Sequence, residues 1–140
     1  MTITLAEART IIDTGLAHAR SLGQPVAIAV VDAAGQVVSL DRMDGVALHR
    51  DRFATGKAFA AVVLRQRTDA SAKLRETAPE RFLGILNMFP GQIYVQAGGI
   101  PLTVDGQVVG GVGVAGGIFP ADDQIAEAGI AAWERGRSDE

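Results

Sequence analysis

GGIPLTVDGQVVGGVGVAGG, residues 98–117, holds two apolar runs, Ile100 to Val104 and Val108 to Val114, on either side of Asp105-Gly106. An Asp-Gly pair between β-favouring runs predicts a tight hairpin, because a type I′ turn needs positive φ at both central positions. The second run carries Gly110, Gly111 and Gly113 and ends in Gly116-Gly117. Glycine weakens a strand, so this density implies close backbone approach. Either a helix presses on the sheet here or a ligand lies against it. Part of the hairpin is expected to border whatever the protein binds.

Outward from the hairpin, the chain reads as alternating helices and strands. Thr4-Leu5-Ala6-Glu7 forms a capping box ahead of Leu5, Ala8, Ile11, Ile12, Leu16, Ala19 and Leu22, and Gly23 is placed to end that helix. VAIAVVD, Val26 to Asp32, lacks polar alternation and predicts a strand covered on both faces. A turn at Ala34-Gly35 returns the chain through Gln36 to Asp44. A second helix is expected from Val46 to Gln66, then a short one capped by Thr68-Asp69 and running to Thr77. The spacing of Phe82, Ile85, Leu86 and Phe89 predicts a further amphipathic piece. Gln92 to Gln96 is β-prone. Asp122 and Asp123 open a last helix with Ile125, Ala128, Ala132 and Trp133 on its apolar side, closing near Arg135-Gly136 with a frayed tail from Arg137 to Glu140. Two hairpins in a short chain imply an α+β fold, a mostly antiparallel sheet of about five strands flanked by helices.

Composition narrows the function classes. The 140 residues suit one domain, 1–140, and the net charge of −3 gives no basic footprint for nucleic acid. There is no cysteine, which removes disulfides and thiolate chemistry together. No signal peptide is visible, and no apolar run reaches the roughly 18 residues of a membrane span. A cytoplasmic protein with no membrane partner is the expectation.

The chemistry concentrates around the second helix. His49, Phe53, Gly56, Lys57, Ala60, Val63 and Leu64 fall on one broad face. Phe53 and the aliphatic residues suit packing. His49 and Lys57 do not: they either reach solvent at the rim or border a polar cavity. Arg50 and Arg52 place positive charge at the helix start, against the macrodipole, which an anionic ligand or a carboxylate such as Asp44 would relieve. With two histidines in the chain, no multi-histidine metal site is expected, but His49 could serve as a single axial ligand to haem iron. Arg42, Arg50, Arg52 or Lys57 could then meet propionates. The same groups could serve acid–base chemistry on a carboxylated substrate, with His49 as acid or base and Lys57 and Arg52 as electrostatic stabilisers. The glycines Gly110 to Gly116 lie in a strand after a hairpin, not at a strand-to-helix crossing, so they are not a dinucleotide fingerprint.

VAIAVVDAAGQVVSLDRMDGV, the helix centre at Lys57-Ala58, the glycine hairpin and DDQIAEAGIAAW together resemble the GlcG/HbpS family, also described as the haem-degrading or DUF336 family and found as the C-terminal domain of some cobalamin adenosyltransferases. The resemblance runs from about Leu5 to Trp133. It implies a profilin-like fold, homo-oligomers, and binding of haem or a related tetrapyrrole as the small ligand. It points to Arg42, Met43, Asp44 and Gly45, to Lys57, to Gly98, Gly99 and Pro101, to Gly110, Gly113 and Gly116, and to Asp122 or Asp123. The run His49-Arg50-Asp51-Arg52 is more charged than the family pattern, and the acidic Asp/Glu-x-x-Glu signature of its haem-binding branch is absent. Three readings therefore stand: a tetrapyrrole-binding protein, an isomerase- or hydrolase-type enzyme of small-molecule catabolism, and a non-catalytic oligomeric accessory protein.

Overall fold

A computed structural model describes residues 1–139. Helix α1 (Leu5–Leu22) precedes the hairpin β1 (Ala27–Asp32) and β2 (Val37–Arg42). Helices α2 (Arg50–Leu64), α3 (Thr68–Ala72), α4 (Leu74–Thr77) and α5 (Pro79–Met88) follow. The glycine hairpin β3 (Gly99–Val104) and β4 (Gln107–Ala115) and helix α6 (Ala121–Ser138) complete the chain. The sheet has four antiparallel strands in the order β2-β1-β4-β3.

Local signals are met where they are strong. The Thr4 hydroxyl accepts from the Glu7 N–H at 3.1 Å while the Glu7 carboxylate accepts from the Thr4 N–H at 3.2 Å, and Gly23 closes α1 in the left-handed conformation. Asp105 and Gly106 take φ of 52° and 78°, as the hairpin turn requires. Asp32 Oδ1 accepts from the Ala34 and Gln36 N–H groups and shapes the β1–β2 turn.

The sheet is asymmetric in side-chain size, and that asymmetry sets the layers. Ile28, Val30, Val112 and Val114 pack with Ile100 and Leu102 against α1 and α6 in the main core. The opposite face presents Ala27, Ala29, Gly111, Gly113 and Ala115, and α2 lies on it with its own small residues, Ala54, Ala58 and Ala61. In register, Leu40, Ala29, Gly113 and Gly99 form one row across the four strands beneath α2. A Cβ at Gly99 would lie 2.5 Å from the Lys57 carbonyl oxygen, and one at Gly111 2.7 Å from that of Ala58. The glycine strand is thus the seat of a helix pressed against the sheet. On the other face, α1 and α6 are tied together: Glu7 Oε2 accepts from Trp133 Nε1 at 2.6 Å and from Arg137 at 3.1 Å.

Four expectations are corrected. The sheet has four strands rather than about five: Ile93–Val95 crosses α2 instead, with the Tyr94 N–H donating to the Gly56 carbonyl at 3.1 Å. Helix α2 begins at Arg50, because Gly45 and His49 take positive φ (85° and 63°) and turn the chain before it can start. The helix expected from Thr68 to Thr77 breaks at Lys73, and Thr68 does not cap it: its hydroxyl accepts from the Gly99 N–H at 2.8 Å and donates to the Gln96 carbonyl. Helix α6 passes through Gly136 and Arg137 to Ser138; of the tail expected to fray, Glu140 lies outside the described residues. No helix among the described residues is long and apolar enough to cross a membrane.

Candidate functional site

The side chains singled out from the sequence occupy three places. At the start of α2, His49 is exposed and makes no capping hydrogen bond. Next to it, the Arg50 guanidinium donates to the Leu48 carbonyl at 3.0 Å and lies 4.9 Å from the centre of the Phe53 ring. Phe53 in turn stacks on Tyr94, centroids 5.0 Å apart. Arg52 donates to the Gly91 carbonyl at 3.3 Å and lines an open cleft of about 560 Å³ with Gly35, Asp51, Thr55, Phe59 and Gln92. Arg42 and Asp44 belong to a different cleft of about 500 Å³, beside Leu16, Arg20, Asp41 and Met43. There Arg9 holds Asp41 at 2.8 Å and keeps its carboxyl below the usual range.

Lys57 points the other way. It is 5% exposed, and its ammonium donates to the Val114 carbonyl at 2.8 Å and to Asp122 Oδ2 at 3.2 Å. Burial lowers its pKa, with Asp122 opposing that shift. Asp122 Oδ1 also accepts from the Gly117 N–H at 2.9 Å, so one ion pair ties α2, the end of β4 and the start of α6. Gly98 leaves room for this ammonium: a Cβ there would lie 3.0 Å from Nζ. Gly116 similarly admits the Val46 side chain from the turn before α2, and Gly113 admits the α2 backbone at Ala54 and Ala58. His49 and Lys57 are not brought together. Eight residues separate an exposed turn from a buried ammonium, on the order of 12 Å at helical rise.

The structure adds a cluster that the sequence reading passed over. Arg67, at the start of α3, lies 3.3 Å from Asp69, 3.0 Å from Glu127 and 3.8 Å from Asp123. Asp123 is 8% exposed, and its Oδ1 has no hydrogen-bond partner; Ser71 Oγ, on α3, is likewise unpaired. Burial pushes the Asp123 carboxyl above the usual carboxylate range, as does Asp69, while Arg67 and the Gly98 backbone oppose. The cluster joins two segments more than 50 positions apart, 67–71 and 123–127, of which the sequence singled out Asp69 as a cap and Asp123 at the start of α6 but not their meeting around Arg67. Among the described residues, no group of three or more histidine or carboxylate side chains is arranged to hold a metal ion.

A four-stranded antiparallel sheet between a helix pair and one closely seated helix defines the class. The family described as haem degrading protein HbpS-like matches residues 3–131, and the chain belongs to it. It is 31% identical over 129 residues to an uncharacterised 15.0 kDa protein from the dhaT–dhaS intergenic region of Citrobacter freundii, covering 92% of this chain and 90% of that one. The crystal structure of a PduOC:heme complex superposes with a TM-score of 0.86 at 27% identity, covering 94% and 95% of the two chains. A double mutant of HbpS from Streptomyces reticuli gives a TM-score of 0.82 at 35% identity, covering 94% and 86%.

Proposed function

We propose that this protein binds haem or a related tetrapyrrole at the start of α2, with the His49 imidazole as axial ligand. The observation that carries the reading is an exposed imidazole, unengaged in capping, held on a left-handed turn beside two arginines. The donor set fits the group: a neutral imidazole nitrogen ligates haem iron, and Arg50 and Arg52 supply guanidinium forks for propionate carboxylates. Leu48, 76% exposed, adds an apolar neighbour to the same turn. The similarity to a PduOC:heme complex supports haem as the ligand class. Bound haem would supply redox and ligand-exchange chemistry. What this chain contributes is orientation, through the fixed turn at His49, and charge, through Arg50 braced on Phe53. Lys57 and Asp122 hold the helix that carries the turn.

Titration with haemin, followed in the Soret band, tests this. The wild-type protein is expected to shift the band, and His49→Ala to lose the shift while keeping its melting temperature. An identical Soret band in His49→Ala overturns the assignment. Acid–base catalysis by His49 and Lys57 on one substrate is less well supported, because the ammonium is buried against Val114 and Asp122.

A further inference from the structure

A cleft of about 640 Å³ opens between α3, the segment before β3 and the first turn of α6. Arg67, Asp69, Lys73, Gln96, Phe119 and Asp123 form its walls, and it shares no lining residue with the clefts that hold Arg42, Asp44 or Arg52. We propose that this cleft binds a small organic ammonium compound with an apolar portion, its cation paired with the Asp123 carboxylate and its apolar part laid on the Phe119 ring.

Three observations converge on that chemistry. Asp123 has an oxygen without a donor although the residue is almost fully buried. A buried carboxylate oxygen left unpaired is costly, and what it lacks is a hydrogen-bond donor. Local charge also favours a cation. Asp69, Asp123 and Glu127 surround the single Arg67 guanidinium, with Lys73 at the cleft wall as the other positive group. Finally, Phe119 is 77% exposed at the rim and offers an aromatic face, on which an ammonium or its alkyl chain packs favourably. An anion is disfavoured, because Asp122 and Asp123 already occupy the positive pole of α6 and Arg67 is engaged by carboxylates. Arg67 is the adjustable wall. Its side chain is 38% exposed and stands 3.8 Å from the shielded, unpaired Asp123 Oδ1, so ligand binding requires it to turn off Asp123 while keeping its ion pairs with Asp69 and Glu127.

Three probes of one shape test the proposal: 2-phenylethylammonium, 2-phenylethanol and phenylacetate, titrated into the full chain by amide NMR. The ammonium is expected to shift the amides of Gly98, Phe119 and Asp123 saturably at millimolar concentration. The alcohol and the acid are expected to bind at least about tenfold more weakly, the scale of one lost charge-assisted hydrogen bond. Asp123→Asn should weaken the ammonium by a similar factor. Phe119→Ala, at a side chain 77% exposed, should weaken it about three- to fivefold with the melting temperature unchanged. Phenylacetate binding as well as the ammonium, no saturable shift with the ammonium, or ammonium binding indifferent to Phe119→Ala would each overturn the proposal. Haemin titration of Asp123→Asn reports on the His49 site separately.

Discussion

At Asp123, the native fold disfavours ionisation, because the carboxyl is buried and faces Asp69 while Arg67 compensates only in part. A carboxyl whose native pKa lies above its unfolded value stabilises the fold most at low pH, where both states are protonated. That contribution is lost as pH rises through the native value, since the unfolded chain then sheds the proton more readily. Asp123→Asn removes the titration. It is expected to be more stable than wild type at pH 7, with the advantage vanishing towards about pH 4. Thermal melts across that range check it; an advantage that grows on acidification contradicts it. Glu7 has the opposite sign. Hydrogen bonds from Trp133, Thr4 and Arg137 outweigh the upward push of its burial, so its contribution is present at neutral pH and lost on acidification. The residue scale was the least legible in the sequence. Lys57 stood out on an apolar face, but its partner Asp122 lies 65 residues away and the Arg67 cluster is assembled from separate helices.

Elements were legible where their signals are local. A capping box and an Asp-Gly turn act within four residues, and both formed as read. The start of α2 failed that test. Val46 to His49 is compatible with a helix on propensity, but Val46 packs over Gly116 and the backbone turns at Gly45 and His49, both at positive φ. The glycine strand was legible in density but not in partner: α2 fills it. At Gly113, an added Cβ would fall 2.6 Å from the Ala58 nitrogen and closer still to the Ala54 carbonyl. Gly113→Ala is therefore expected to lift α2 from the sheet and to cost about 3 kcal/mol in urea unfolding. Gly136→Ala, in α6 with open space around it, should instead stabilise by about 0.5–1 kcal/mol. Equal effects at the two positions would refute the close-packing account.

For the whole molecule, the sheet's two faces are covered, yet large apolar side chains remain outside. Helix α5 buries no residue; its Leu83 and Met88 are 58% and 75% exposed, and Ile118 is 74% exposed. Surfaces of this kind mark contact with a partner. We expect sedimentation to give a multiple of the 14.6 kDa chain mass, and Met88→Asp to shift the protein towards the single-chain mass. A wild-type protein that sediments as one chain at high concentration removes the self-association reading. The α1–α6 seam has a consequence for every such measurement. Trp133 is the sole indole in the chain, 3% exposed, with its N–H on the Glu7 carboxylate. Its emission is an optical gauge of the helix pair on one side of the sheet. It stays blind to a loosening of α2 on the other, so a chain could shed α2 without a change in colour.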